Sequence, residues 1–162
     1  MPCGSRLLIK WLTSASRSAC SRIRVTLMLA DAAQVADGKL YILGGGLSLI
    51  PAAPSPLAIA VKVDVPWDRA DRVHNWKLEL LDADGMPVMM GDQPVLVQGQ
   101  FEVGRSEHLQ DGTALPMPLA VNFSGLTLPP SQRFVWRMAI DDDTEPDWQV
   151  GFSVAAAPAI DV

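Results

Sequence analysis

The sequence predicts an all-β protein, an antiparallel immunoglobulin-like β-sandwich of about eight to nine strands. Apolar and polar residues alternate along several segments, so that one face of each predicted strand packs and the other meets water. Turn signals rich in glycine, proline and aspartate separate these segments at the spacing of an antiparallel sandwich. The connections are too short for the crossovers of a parallel α/β sheet, and a closed barrel is the alternative architecture.

A β-hairpin is predicted in the segment LADAAQVADGKLYILGGGLSLI at residues 29–50, and the later strands are expected to pack on it. Residues 27–31 form its first predicted strand and residues 40–43 its second. The turn is predicted at residues 37–39, because Asp-Gly between apolar runs favours a hairpin and glycine adopts positive φ without a clash. No helix follows the glycines at 44–46, which favours a β-bulge or a strand switch between sheets over a phosphate-binding loop.

The alternation also predicts which side chains face inward along the remaining strands. In chain order these side chains are Ile59, Val61, Val63 and Val65; Trp76, Leu78 and Leu80; Val95, Val97, Phe101 and Val103; Leu119, Val121 and Phe123; Phe134, Trp136, Met138 and Ile140; and Trp148, Val150 and Phe152. A turn is predicted at residues 82–85, where aspartates precede a glycine.

The composition is that of one globular domain. With 162 residues the chain is long enough to bury a core without disulfides or metal. Hydrophobic residues make up 49% and charged residues 19%, which excludes a disordered chain. No run approaches about 18 uninterrupted apolar residues, so no membrane span is predicted and we expect a soluble, cytoplasmic protein.

Residues 1–24 differ from the rest of the chain in charge. They hold five of the 13 basic residues and none of the 18 acidic ones, so the remaining chain carries a net charge of −10 and nucleic acid is not an expected partner. We interpret this basic leader as disordered or as the result of a misplaced start, with a targeting segment as the alternative. Residues 25–154 form the predicted sandwich and residues 155–162 a flexible tail. Both cysteines, Cys3 and Cys20, lie in the leader.

Three blocks of the predicted domain carry a family resemblance. They read ADAAQVADGKLYILGGG, PLAIAVKVDVPWDRADRVHNWKLELLDADGMPV and LPPSQRFVWRMAIDD. Together they resemble an uncharacterised bacterial family, common in actinobacteria, of short β-sandwich proteins known only as a domain of unknown function. The resemblance covers roughly residues 25–154 and implies the fold, without an activity or a mechanism. The leader lies outside it, which favours the misplaced start.

The densest group of acidic residues follows the predicted strand at residues 134–140. Its carboxylates are oxygen ligands of the kind that calcium binds in the end loops of sandwiches, and they belong to Asp141, Asp142, Asp143, Glu145 and Asp147. Their spacing lacks the Asp-x-Asp-x-Asp-Gly order of an EF-hand. A solvated hairpin loop is therefore the favoured interpretation, and a calcium site is the alternative.

Trp67 is the candidate contact residue, with Asp68 and Arg69 beside it. It follows Pro66 at a predicted strand end among charged residues, and tryptophan is favoured at binding hot spots. One interpretation is an exposed anchor for a protein or a sugar. The other is a lid over the end of the core.

The sequence predicts no catalytic group and no cofactor. His74 and His108 are the two histidines, and both are expected in surface loops without a carboxylate to orient the imidazole. The chain contains neither a Gly-x-Ser-x-Gly elbow nor a Cys/His cluster for zinc. The predicted function is therefore a non-catalytic interaction module that binds another protein or itself. The alternative is a sandwich that binds a small ligand, a carbohydrate or calcium.

Overall fold

Strands make up the regular structure of this chain. The computed structural model describes residues 22–159. Its strands are β1 (Arg24–Ala30), β2 (Ala32–Ala36), β3 (Lys39–Leu43), β4 (Leu49–Ile50), β5 (Ser55–Val65), β6 (Val73–Asp82), β7 (Met89–Met90), β8 (Gln93–Pro94), β9 (Leu96–Glu102), β10 (Leu115–Leu126), β11 (Arg133–Ile140) and β12 (Gln149–Val154). A short 3-10 helix at Trp67–Arg69 is the helical element among these residues, so the all-β prediction is confirmed. The described strands number twelve against the expected eight or nine, and three of them are only two residues long.

Two sheets contain the longer strands. β1, β5 and β10 form an antiparallel sheet with β5 at its centre. The second sheet has the order β4-β12-β11-β6-β9, and its pairs are antiparallel except for the short parallel contact between β4 and β12. β2 with β3, and β7 with β8, form two-stranded antiparallel sheets. The predicted antiparallel pairing is therefore present throughout the long strands.

One hydrophobic cluster joins the inward faces of the three-stranded and five-stranded sheets. The predicted inward residues of β5, β6 and β11 are each at most 9% exposed, namely Ile59, Val61, Val63, Val65, Trp76, Leu78, Leu80, Phe134, Trp136, Met138 and Ile140. Phe123 of β10 stacks on Trp136 of β11 with ring centroids 4.9 Å apart, which is a direct contact between the two sheets. The inward residues of β9 and β10 are only half-buried, because both are edge strands.

The predicted hairpin is present, but its first arm is β2 and not residues 27–31. β2 and β3 pair along their whole length on either side of Asp37 and Gly38. These turn residues have φ of +50° and +69°, as the two-residue turn of a tight hairpin requires. β1, which contains residues 27–30, pairs with β5 instead, and the chain bends at Asp31 before it enters the hairpin.

The hairpin covers the outer face of the three-stranded sheet. Ala30, Ala33, Ala58 and Ala60 form a small separate cluster there, each at most 8% exposed. Because alanine side chains are short, the hairpin backbone comes close to the sheet. Asn122 of β10 then binds the Ala33 backbone with both ends of its amide: Nδ2 donates to the Ala33 carbonyl at 2.8 Å, and Oδ1 accepts from the Ala33 N–H at 3.1 Å. The Asn122 amide thus makes the two hydrogen bonds to Ala33 that the backbone of a neighbouring strand would otherwise make.

The three glycines carry the chain from β3 to β4, which belong to different sheets. The Gly46 N–H donates to the Leu29 carbonyl at 2.8 Å, which fixes this crossing to β1. A Cβ on Gly45 would lie 2.8 Å from Met28 Sδ and 3.0 Å from Ile42 Cγ2, so a larger residue requires these two side chains to move. The predicted strand switch between sheets is confirmed.

The ends of the chain lie partly beyond this description. Residues 1–21 of the predicted leader and residues 160–162 of the predicted tail are outside the described residues. Residues 155–159 have no secondary structure, and the Ala155 N–H donates to the Ile50 carbonyl at 2.9 Å. Within residues 22–159 no helix has the length and hydrophobicity needed to cross a membrane.

Candidate functional site

The turn that carries Trp67 lies at one end of the core. Pro66 precedes it in an extended conformation, and the three residues that follow form a single 3-10 turn. The Trp67 side chain is half-buried against the main hydrophobic cluster. The guanidinium carbon of Arg105 lies 5.4 Å from the centroid of its ring, and Arg105 Nε and Nη2 donate to the Trp67 carbonyl at 3.2 and 3.0 Å. Trp67 therefore packs partly against the core, and Arg105 lies over its ring.

The polypeptide after this turn is fixed to the segment that follows β9. The Asp71 N–H donates to the Val103 carbonyl at 2.9 Å. Asp71 Oδ1 accepts from the Arg105 N–H at 3.1 Å, and its Oδ2 lies 3.3 Å from Arg105 Nη1. Of the other two predicted contact residues, Asp68 is exposed and Arg69 is half-buried.

A buried histidine connects the Trp67 turn to the acidic loop. His74 is 1% exposed and lies within β6, so the interpretation as a surface loop residue is wrong for His74, whereas His108 is exposed. Nδ1 of His74 lies 2.6 Å from Asp141 Oδ2, and its Nε2 lies 2.9 Å from the Arg69 carbonyl oxygen. The ring also stacks on Phe101 with centroids 5.1 Å apart. Asp141 is thus the orienting carboxylate that the sequence did not indicate.

Both ring nitrogens of His74 face hydrogen-bond acceptors. A carbonyl oxygen only accepts, so Nε2 donates to Arg69. An ionised carboxylate also only accepts, so Nδ1 donates to Asp141. His74 thus connects Asp141 at the end of β11 to the Arg69 carbonyl in the Trp67 turn. We call His74, Asp141 and the carbonyl of Arg69 the His74 latch.

The surroundings of Asp141 keep its carboxyl ionised. Burial raises its pKa, but hydrogen bonds from His74 and from the Asn75 N–H, with the charges of His74 and Arg72, outweigh this and lower the pKa below its usual 3.8. The Asn75 N–H lies 2.9 Å from Asp141 Oδ1, and the Asp141 N–H donates to the Asn75 carbonyl at 2.8 Å. Asp141 has φ of +53°, a conformation that aspartate tolerates and that turns the chain at the end of β11.

The five acidic residues of the loop do not converge on one point. Asp141 contacts His74, while Glu145 Oε1 lies 3.6 Å from Arg22 Nε. In the described part of the chain, no group of three or more His, Cys, Asp and Glu side chains is placed to hold a metal ion. The calcium site therefore has no ligand set among these residues, and it stays a prediction.

A cleft of about 360 Å³ lies between the Trp67 turn and the acidic loop, and residues of both predicted groups line it. Its lining combines two arginines, two acidic residues, one threonine and three apolar side chains: Arg22, Ile23, Arg69, Ile140, Asp143, Thr144, Glu145 and Trp148. The formal charges of this lining sum to zero. Trp148 is only 4% exposed, so its ring belongs to the core more than to the cleft.

One signal in the sequence places His74 correctly. It precedes Trp76 by two residues and Leu78 by four, so it continues the inward face of the alternation along β6. Its partner gives no such signal, because Asp141 lies 67 positions away in the chain. A contact of this kind follows from the pairing of β6 with β11 and not from a local pattern.

An apolar surface lies on the solvent side of the β2–β3 hairpin, at residues that no sequence motif marks as a binding site. Tyr41 is 53% exposed and Leu43 is 70% exposed, and both point to the same side because they are two residues apart in β3. A shallow depression of about 380 Å³ is lined by Ala32, Ala33, Gln34, Tyr41, Ile42 and Leu43. Ala32 pairs with Leu43 and Gln34 with Tyr41, so these four side chains share the solvent side, whereas Ala33 is buried against the three-stranded sheet. We call Ala32, Gln34, Tyr41 and Leu43 the hairpin face. Exposed apolar clusters of this kind mark interaction surfaces more often than single exposed residues do.

β3 is also an edge strand. β2 occupies one of its sides, and no strand of the described chain pairs with the other. Ala33 lies opposite Ile42 in the hairpin, and Asn122 binds both backbone groups of Ala33 from the side away from β3. The two residues are therefore a non-hydrogen-bonded pair, whose N–H and C=O groups point away from each other. The direction of the backbone N–H and C=O groups alternates along a strand, so Ile42 and, two residues earlier, Leu40 both direct these groups to the free edge of β3.

A family model described as a family of unknown function, DUF6941, matches residues 25–153. The chain belongs to this family. The matched range contains β2 to β11, so the hairpin face and the His74 latch are both parts of the family domain. The resemblance to a domain of unknown function is thereby confirmed. No curated protein matches the chain.

Proposed function

We propose that this member of the family is a non-catalytic interaction module that binds another polypeptide chain at the hairpin face and the free edge of β3. The observation that carries this proposal is the exposure of Tyr41 and Leu43 beside a strand edge that no strand of the described chain occupies. In β-strand addition, main-chain hydrogen bonds to such an edge give affinity, and pockets for alternate side chains give specificity.

The amino-acid composition of β3 supports the binding of a partner chain at its free edge. Natural proteins protect exposed edge strands with charges, prolines or bulges, because an apolar edge promotes aggregation. β3 has one charged residue, Lys39 beside the turn, and continues with Leu-Tyr-Ile-Leu to its end. A partner strand at this edge satisfies the backbone groups of Leu40 and Ile42 and removes the hazard.

The burial of His74, at the other end of the core, supports the proposal that the module is non-catalytic. His74 and Asp141 resemble two members of a catalytic triad, but His74 is 1% exposed and both of its nitrogens already have partners. A general base must reach the proton that it removes. An imidazole held in this way acts on the protein itself, by fixing the Trp67 turn.

The proposed module has an immunoglobulin-like sandwich fold. We assign the three-stranded and five-stranded sheets to the immunoglobulin-like sandwich class, since their inward faces share one core. Bacterial origin and a cytoplasmic location stay predictions from the sequence. The alternative of a carbohydrate or small-ligand site depends on Trp67, whose ring is half-buried and lies under Arg105, so no observation favours it.

Photo-crosslinking in the cells that make the protein tests the proposal. A benzophenone amino acid replaces Tyr41 in the full chain, and the same amino acid replaces Leu109 as a control at an exposed loop position, where the leucine is 37% exposed. We expect ultraviolet light to give a discrete crosslinked product from position 41 that mass spectrometry identifies, and we expect Leu43→Asp to abolish it. Absence of a product from position 41, or the same product from position 109, refutes the proposal.

A further inference from the structure

The free edge of β3 is complementary to a second copy of itself. Resting on the proposed function, we infer that the chain bound there is another molecule of this protein, paired β3 to β3 in antiparallel orientation about a two-fold axis at Tyr41. An interface between identical surfaces is the commonest way in which soluble proteins form dimers.

The backbone sets this register. With Tyr41 on the axis, Leu40 of each copy lies opposite Ile42 of the other, and each of these pairs exchanges two N–H···O=C hydrogen bonds. Every backbone group that points to the free edge of β3 is then satisfied. An axis at Leu40 would place Ile42 opposite Gly38 of the other copy, and an axis at Ile42 would place Leu40 opposite Gly44. Gly38 and Gly44 have φ values of +69° and +64°, so neither glycine continues the strand, and both registers lose hydrogen bonds.

The side chains agree with the same register. Tyr41 lies opposite its own copy in a non-hydrogen-bonded pair, where side chains approach most closely. Leu43 of each copy is the diagonal neighbour of the other Tyr41, within reach of an aromatic side chain. Two residues that are 53% and 70% exposed thus cover part of each other across the axis.

The charges at the two ends of the hairpin are also complementary. Lys39 begins β3, and Asp31 lies beside its end, where the Asp31 N–H donates to the Leu43 carbonyl at 3.0 Å. Both residues are exposed, and neither has an ion pair within residues 22–159. The register places Lys39 opposite Leu43 of the second copy, and the Asp31 backbone of that copy lies one strand further on, about 10 Å from Lys39, a distance that the extended lysine and aspartate side chains span together. The two-fold axis repeats this pairing of opposite charges.

Sedimentation of the full chain over a range of concentrations tests the inference, with a reducing agent present because Cys3 and Cys20 are in the chain. We expect the mass to rise with concentration from 17.5 kDa to twice that value. Lys39→Asp and Asp31→Lys each place like charges opposite one another and weaken the dimer, by tenfold or more in dissociation constant. An equimolar mixture of the two variants restores dimers, because each chain then offers the charge that the other lacks.

The outcomes separate this inference from the proposed function. A monomer at every concentration, or a mixture that associates no better than the separate variants, overturns the homodimer. Crosslinks from position 41 to a different protein then still support the interaction module. The Asp31 side chain lies against Gly44, so Asp31→Lys can disturb the fold, and circular dichroism checks for this. If Asp31→Lys does not fold, Lys39→Asp and Lys39→Arg are compared instead. Only the charge reversal, Lys39→Asp, weakens a dimer of this geometry.

Discussion

Nδ1 of His74 lies 2.6 Å from Oδ2 of Asp141, and this contact extends the pairing of β6 with β11 past the last residues of their ladder. The ladder ends with Ile140 opposite Trp76. One residue further, Asn75 and Asp141 are joined by a backbone hydrogen bond of 2.8 Å, and the side-chain contact follows. Because Nε2 of His74 also holds the Arg69 carbonyl, the same ring fixes the Trp67 turn over the end of the core.

Replacement of His74 by alanine is expected to destabilise the fold by about 2–3 kcal/mol. Removal of a buried hydrogen-bonding partner costs about 1–3 kcal/mol, and the lost ring also leaves a cavity, whereas the Asp141 side chain is 37% exposed and rehydrates. Urea unfolding at neutral pH measures the change. His108→Ala is the matched control, since His108 is exposed, and it is expected to change the free energy of unfolding by less than about 0.5 kcal/mol. Equal effects of the two substitutions contradict a structural role for the latch.

The stability that Asp141 contributes is expected to disappear in acid. Its pKa in the folded protein is lowered below 3.8, against desolvation, by the hydrogen bonds of His74 and Asn75 and by nearby positive charge. A carboxyl with a lowered folded-state pKa stabilises the fold above its unfolded pKa and loses this effect as pH falls through the folded value. The difference in unfolding free energy between wild type and Asp141→Asn should therefore be largest near neutral pH and shrink below 3.8.

Urea titrations at a series of pH values from about 7 to about 2.5 measure this difference, a range that spans the ordinary carboxyl pKa. Asp142→Asn is the control, because this neighbouring carboxylate is exposed and makes none of the latch contacts. A difference between wild type and Asp141→Asn that stays constant across the whole range contradicts the assignment.

The parts of the fold that the sequence predicts are those governed by local periodicity. Ile59, Val61, Val63 and Val65 are all fully buried, because alternation along a strand decides which face a side chain occupies. The same rule, applied two residues further back from Trp76, predicts a buried His74. A histidine among charged neighbours is more typical of a loop, and composition outweighed periodicity in that interpretation.

The parts that local periodicity cannot predict depend on which strands become neighbours. Residues 27–31 and 40–43 suit the two arms of a hairpin, yet the first of these segments finds a better partner in β5, whose small outward-facing Ala58 and Ala60 admit the hairpin above them. The free edge of β3 is likewise a property of the assembled sheets. The sequence pattern of Tyr41 and Leu43 is that of ordinary strand residues, and only the sheet order shows that no strand within residues 22–159 pairs with that edge.

Replacement of Asn122 by alanine is expected to loosen the hairpin from the three-stranded sheet. The substitution removes two hydrogen bonds and leaves the N–H and C=O of the buried Ala33 without their partner, at a cost of about 1–3 kcal/mol. Asn122→Asp keeps one acceptor for the N–H and should cost less. Hydrogen exchange is followed by mass spectrometry in wild type and in Asn122→Ala. The substitution should increase the exchange rate in residues 32–43 more than it increases the rate in β11. Faster exchange across the whole chain, with no excess in the hairpin, contradicts a local role for Asn122.

Replacement of Trp136 by phenylalanine is expected to change the free energy of unfolding by less than about 1 kcal/mol, because two effects oppose each other. Trp136 is fully buried, and its Nε1–H has no hydrogen-bond partner among the described residues, so removal of this donor relieves a desolvation penalty of about 1–3 kcal/mol. The smaller ring leaves a cavity, but it keeps the stacking on Phe123. Trp76→Phe is the comparison, since Trp76 is 9% exposed and has no such buried donor to lose. Urea unfolding should rank Trp76→Phe as the more destabilising substitution, and the reverse ranking means that the Trp136 indole N–H is satisfied in solution.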